Sequence, residues 1–265
     1  MKPEISVIMS VYNPQRKEHF EKAVQSVKDQ SFQDWEMIIC DDGSDRSVAF
    51  IEETAGTDSR IRLIRNGSNK GLGYSLNRCI RESSGDYIAR MDADDICRPE
   101  RLKEQLDFLK SHKNADWCGT DAFLINDGGT WGSRHMPRVP KKKDFLKFSP
   151  FIHYSVMFRR GVLTKNHGYK ALNRSEDYEL FMRLYSKGYR GYNIPKELYG
   201  YREDENNYKR RTLSCAVEEC VVRKRGFEKL GMLSPQNFAY VIKPVVVSAI
   251  PGRIQMFLKK ALRDR

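Results

Sequence analysis

With 265 residues, 40% of them hydrophobic and 11% aromatic, the chain can bury the core of one large domain or of a domain plus an appendage, which excludes a wholly disordered protein. Its formal charge of +12 is concentrated late: residues 207–265 hold 13 Lys/Arg against 4 Asp/Glu, an excess that favours phosphate-rich partners such as nucleic acid or anionic lipid. The six cysteines form no C-x-x-C pair and are expected to be reduced thiols of a cytosolic protein; no signal peptide is expected, and the apolar stretch 238–250, broken by Lys243 and Pro244, is too short to span a bilayer.

The first half alternates strand and helix signals. Residues 5–11 are a short, continuously apolar, β-branched run, expected of a strand buried on both faces. Phe20, Ala23, Val24 and Val27 recur at helical spacing. A second strand is expected at 35–40, a helix at 47–55 stopping at Gly56, a third strand at 61–64, and a helix at 74–82 closed by Gly85. A fourth strand at 87–91 runs into Asp92-Ala93-Asp94-Asp95, and Pro99 opens a helix to about Ser111. This rhythm predicts an α/β fold, a mostly parallel sheet flanked by helices. Further on, 117–126 and 156–158 read as strands, and Lys141-Lys142-Lys143 as a loop. Residues 175–188 read as a strong helix with Ser175 as its N-cap and Gly188 at its end.

Polar clusters follow the first, second and fourth strands, so the topology gathers them on the rim where such sheets bind ligands. Three carboxylates in Asp92-Ala93-Asp94-Asp95 repel one another and suit Mg²⁺ or Mn²⁺ bridging to a diphosphate, or else form a solvated acidic turn. Asp41-Asp42-Gly43-Ser44 is either a simple turn or a contact to a base or ribose. Asn69-Lys70-Gly71-Leu72-Gly73 has the glycines to approach phosphate, but Tyr12-Asn13-Pro14 lacks them, which disfavours a nicotinamide enzyme. Glu176-Asp177 serves either the helix dipole or general-base chemistry, and His153 either a structural hydrogen bond or a ligand.

Together these blocks resemble the family 2 glycosyltransferases, whose nucleotide-binding fold is the Rossmann-like GT-A fold. The likeness runs from about Ile5 to Arg211. It implies that Val11 and Tyr12 lie at the base, that Asp42, Asn69 and Lys70 belong to the nucleotide site, and that Asp92 sits near the ribose. Asp94 would hold Mg²⁺ or Mn²⁺ as the last residue of a D-x-D. Glu176 and Asp177 match the catalytic E-D pair, with the aspartate as base. Tyr201-Arg202-Glu203-Asp204 and Tyr208-Lys209-Arg210-Arg211 look like the branch that builds bacterial exopolysaccharides and capsules. Many members carry a His where Asp204 stands, so His153, Arg210 and Arg211 are candidate substitutes at the diphosphate or acceptor. The processive signature Q-x-x-R-W is absent, so transfer of a single sugar is expected.

The resemblance divides the chain into a glycosyltransferase domain at 1–211 and a basic, helical C-terminal extension at 212–265. In 253–265, Ile254, Phe257, Leu258, Ala261 and Leu262 recur at helical spacing among five Lys/Arg. Such a segment either lies on anionic lipid or docks its apolar stripe on the domain. The resulting expectation is an inverting, metal-dependent enzyme that uses a nucleotide sugar, with UDP favoured, and a polyprenyl-diphosphate-linked or glycan acceptor. It would sit in the cytoplasm at the inner face of the membrane and bind no nucleic acid. Two rivals stay open: a non-catalytic protein of this fold that binds membrane or protein, and a nucleotidyltransferase.

Overall fold

The computed structural model describes residues 2–45, 49–203 and 213–248. In chain order the elements are β1 Ile5–Val11, α1 Lys17–Lys28, β2 Trp35–Asp41, α2 Ala49–Ala55, β3 Ile61–Arg65, α3 Leu72–Glu82, β4 Tyr87–Asp92 and β5 Ile96–Cys97. There follow α4 Arg101–Ser111, β6 Trp117–Asn126, β7 Gly129–Arg134, β8 Met157–Arg159, α5 Arg160–Lys165, α6 Glu176–Ser186, β9 Gly191–Arg202, α7 Leu213–Lys229 and α8 Phe238–Ser248. Of Lys141-Lys142-Lys143, expected as loop, the last two begin a short 3-10 helix at Lys142–Leu146.

Described residues form a nine-stranded sheet in the order β3-β2-β1-β4-β8-β6-β9-β5, with β7 paired to β6. The first four strands are parallel, as the βαβ rhythm requires. β8 then enters antiparallel to both β4 and β6, which returns β6 and β9 to the common direction. The expected mostly parallel sheet is therefore present, with β8 as an insertion that no apolar pattern could orient. Register decides the position of the site. Val11 pairs with Asp41 and Ser10 with Asp92, so β1, β2 and β4 end level with one another.

Alternation along these strands sorts residues onto two faces. Ile5, Val7, Met9 and Val11, with Met37, Ile39, Ala89 and Met91, join the core under α1 and α4. Ile8, Ile38 and Ile88 join the opposite core, with Leu76 and Cys79 of α3 and Leu180 and Phe181 of α6. The same parity places Arg90 and Asp92 on this second face.

Val222 and Phe227 of α7 and Val241 of α8 continue the second core. α7 comes so near α6 at Gly226 that a Cβ there would lie 2.3 Å from the Met182 sulfur. Inside α8, Pro244 cannot donate to the carbonyl of Tyr240, and Arg223 Nη1 donates to that oxygen instead, at 3.3 Å.

Candidate active site

A cleft of about 760 Å³ opens at the carboxyl ends of the strands. Val11 and Tyr12 line it from β1, Asp92 and Asp94 from β4, Asp127 from the β6–β7 turn, and Arg202 from the end of β9. Four of the expected site residues thus share one cavity. Tyr12 is 47% exposed, so its ring is free to meet a flat ligand. Across the mouth, Asp127 meets Arg16 at 2.6 Å, His19 at 3.2 Å and Arg202 at 3.4 Å. Burial and the Arg202 charge hold His19 below its ordinary 6.5 in spite of that carboxylate.

Asp42 sits beside the cleft lining and is 2% exposed. Its carboxylate accepts from Asn66 Nδ2 at 2.6 Å and from the backbone N–H groups of Lys70 and Gly71 at 2.9 and 2.8 Å. It therefore shapes the loop that carries Asn69 and Lys70, both exposed at its tip. Gly43 next to it has φ +72°, and a Cβ there would lie 2.4 Å from the Ser68 carbonyl carbon, so this turn admits only glycine without strain.

Acids crowd the end of β4. Asp94 reaches into the cleft, yet the cleft walls strip water from its carboxyl and Asp92 repels its charge, and it is pushed up to about 6. Asp95 is 1% exposed and accepts from the Arg202 N–H at 2.7 Å. Burial and its two acidic neighbours raise it well above the carboxylate range. Arg202 also donates from Nε to the Asp94 carbonyl at 2.9 Å, which fixes the end of β9 to this turn.

The second acidic pair opens α6. Burial, then repulsion from Asp177, raises Glu176 to about 7. Asp177 is raised as well, burial being the main cause. Ser175 holds the N-cap position, but at φ 64°, ψ 24° and with no side-chain cap bond. The expected hydroxyl cap is thus replaced by a left-handed turn, which aims both acids inward at the cost of backbone strain.

Arg90 links the two groups. Its side chain is 2% exposed, its guanidinium pairs with Asp92, and its charge also stabilises the ionised forms of Glu176 and Asp177. Among the described residues its Nε has no hydrogen-bond partner. Arg90 and Asp127 were not singled out from sequence, and Asp95 and Arg202 were named only within longer motifs. The signal for Arg90 was present: an arginine inside an apolar strand, two positions before Asp92 and therefore on the same face.

His153 makes a structural hydrogen bond, one of its two readings. It is 7% exposed, with Nε2 2.9 Å from the Tyr169 hydroxyl, and burial and the Arg90 charge drive it well below 6.5. A neutral imidazole of this kind offers no positive charge to a diphosphate. Arg210 and Arg211, like Asp204 and the 253–265 segment, lie outside the described residues.

Residues 6–181 match the Glycosyl transferase family 2 domain. The chain is a family 2 glycosyltransferase. EpsE of Bacillus subtilis is 35% identical over 257 residues, covering 95% of this chain and 91% of that protein. Among solved structures, TarS of S. aureus in complex with UDP-GlcNAc superposes with a TM-score of 0.65 at 19% identity, over 90% of this chain and 75% of that one. The mannosyltransferase PcManGT from Pyrobaculum calidifontis, in complex with GDP-Man and Mn²⁺, gives a TM-score of 0.64 at 15% identity, over 100% and 81%. Both likenesses confirm the GT-A fold of this glycosyltransferase.

The donor set of this family 2 enzyme suits a hard divalent cation. Asp92 and Asp94 are oxygen donors whose charges repel each other, and Arg90 forms its ion pair with Asp92. Among the described residues no three His, Cys, Asp or Glu side chains form a cage. One or two carboxylates, with the remaining positions left to phosphate oxygens and water, is the usual arrangement for Mg²⁺.

Proposed function

We propose that the enzyme transfers one sugar, with inversion, from a nucleoside-diphosphate donor to a hydroxyl of a lipid-linked or glycan acceptor in surface-polysaccharide synthesis, at the cytoplasmic face of the membrane. The observation that supports this reading is the buried ion pair of Arg90 with Asp92 at the end of β4, on the sheet face against which α6 packs with Glu176 and Asp177 in its first turn. Tyr12 flanks the base, and Asp42 sets the loop from which Asn69 and Lys70 reach the nucleotide. Asp92 sits near the ribose, and Asp94 would hold Mg²⁺ or Mn²⁺, which when bound neutralises the charge developing on the departing diphosphate.

Asp177 takes the proton of the acceptor hydroxyl. That oxygen forms a bond to the anomeric carbon from the face opposite the diphosphate, and the bond from that carbon to the diphosphate oxygen breaks. One carboxylate suffices for such a displacement. Glu176, raised to about 7, stays partly protonated at neutral pH and leaves the basic role to its neighbour.

Calorimetric titration of UDP and GDP, each with and without Mn²⁺, tests the donor class. UDP is expected to bind only with Mn²⁺, and Asp94→Ala to abolish that dependence. Asp177→Asn should stop transfer while leaving donor affinity intact. If neither nucleotide binds the unaltered enzyme, the transferase reading fails in favour of a binding protein of this fold.

A further inference from the structure

The C-terminal hairpin has an apolar outer surface that the described residues leave exposed. On α7, Leu213, Val217 and Val221 follow one another at four-residue spacing, and on α8 Phe238, Ile242 and Val246 do the same. All six are between 43% and 62% exposed. Val241 is the buried residue of α8, although ten of its eleven residues are apolar or serine. An uncovered apolar area of this kind on a charged protein marks an interaction surface.

Charge identifies the occupant. Lys224, Arg225, Lys229 and Lys243 are exposed on the hairpin, against Glu228 as the exposed acid. Glu218 and Glu219 are half-buried and engaged, by the Asn173 and Arg174 backbone and by Arg223. A cavity of about 240 Å³ joins the hairpin to the segment before β8, and it sets Lys147 and Lys243 beside Phe148 and Pro244. The 17 residues that follow Ser248 add five Lys/Arg and one Asp. A second copy of this chain would bring these cations against their own images. A bilayer bearing anionic headgroups takes the apolar rows into its acyl boundary and the lysines at its phosphates.

We propose that the α7–α8 hairpin is a lipid-docking face, which seats the protein on an anionic membrane through its own helices rather than through the basic terminal segment alone. This deepens the membrane placement proposed above and does not depend on the transfer chemistry.

The test is co-sedimentation of the full chain with vesicles of phosphatidylglycerol and phosphatidylcholine, and with vesicles of phosphatidylcholine alone. Binding is expected to the first and not to the second. Val217→Asp combined with Ile242→Asp should weaken it at least about tenfold, and Lys243→Glu should weaken it more at low salt than at high. Circular dichroism melting checks that the double variant folds; if it does not, Lys243→Glu together with Lys147→Glu serves in its place. The proposal is overturned if the anionic vesicles do not bind. It is also overturned if the hairpin variants bind undiminished while Lys259→Glu with Lys260→Glu abolishes binding, or if the hairpin variants instead split a dimer. Vesicle binding without nucleotide binding would sink the transferase reading and leave this one standing.

Discussion

Replacing Glu176 by Gln keeps the shape of the protonated side chain and removes its ability to ionise. The Glu176 carboxyl is raised from an ordinary 4.5 to about 7 in the folded chain. Below pH 4.5 it is protonated in both folded and unfolded chains and has no effect on stability. Between 4.5 and 7 the unfolded chain loses this proton while the folded one keeps it, so stability falls as pH rises, and above 7 the full penalty is present. At about 1.4 kcal/mol per pH unit, the buried charge destabilises the native state by up to about 3 kcal/mol at pH 8. Glu176→Gln should therefore raise the melting temperature by roughly 6 to 12 °C at pH 8 and leave it nearly unchanged at pH 4.5. Differential scanning calorimetry of both proteins across this range measures the effect directly. A gain of the same size at both ends, or none at pH 8, would refute the assignment of a buried, Asp177-repelled carboxyl.

Removing the central cation should act in the opposite direction. Arg90→Met leaves Asp92, Glu176 and Asp177 facing one another, and urea unfolding should show a loss of about 3–5 kcal/mol at pH 8 that shrinks at pH 5, where Glu176 is protonated; an equal loss at both would contradict the linking role. Ser175→Gly relieves a left-handed residue, and after the extra freedom it gives the unfolded chain it should gain about 0.5–1 kcal/mol, read as a small rise in melting temperature; a fall would mean that the Ser175 hydroxyl bonds to something that holds α6.

The parallel core of the fold was legible because each of its strands is a short run buried on both faces, bounded by turn residues. Residues 5–11 and 117–126 match β1 and β6 to the residue. β9 was not legible. Its apolar run is interrupted by Pro195-Lys196-Glu197, and the pairing with β6 shifts there, from Thr120 opposite Ile194 to Asp121 opposite Glu197. A strand that bulges around a proline carries no clean alternation. The site was legible in its acids, which stand where the topology gathers them. Arg202 was legible only as part of a motif, because the contacts that give it a place are distant in sequence: it reaches Asp94, Asp95 and Asp127 across the sheet, whereas Arg90 pairs with Asp92 only two residues on. The glycosyltransferase assignment rested on four weak motifs whose order and spacing, rather than any one of them, carried it.

The broken turn of α8 has a mechanical consequence. Arg223, which donates to the Tyr240 carbonyl, also donates to the Leu146 carbonyl at 3.2 Å and lies 5.0 Å over the ring of Tyr178. Tyr178 directly follows Asp177, and four residues further along, Met182 packs against Gly226 of α7. These contacts tie the hairpin to the first turn of α6, so a pull on α8 from outside bears on the turn that carries Asp177, the proposed base.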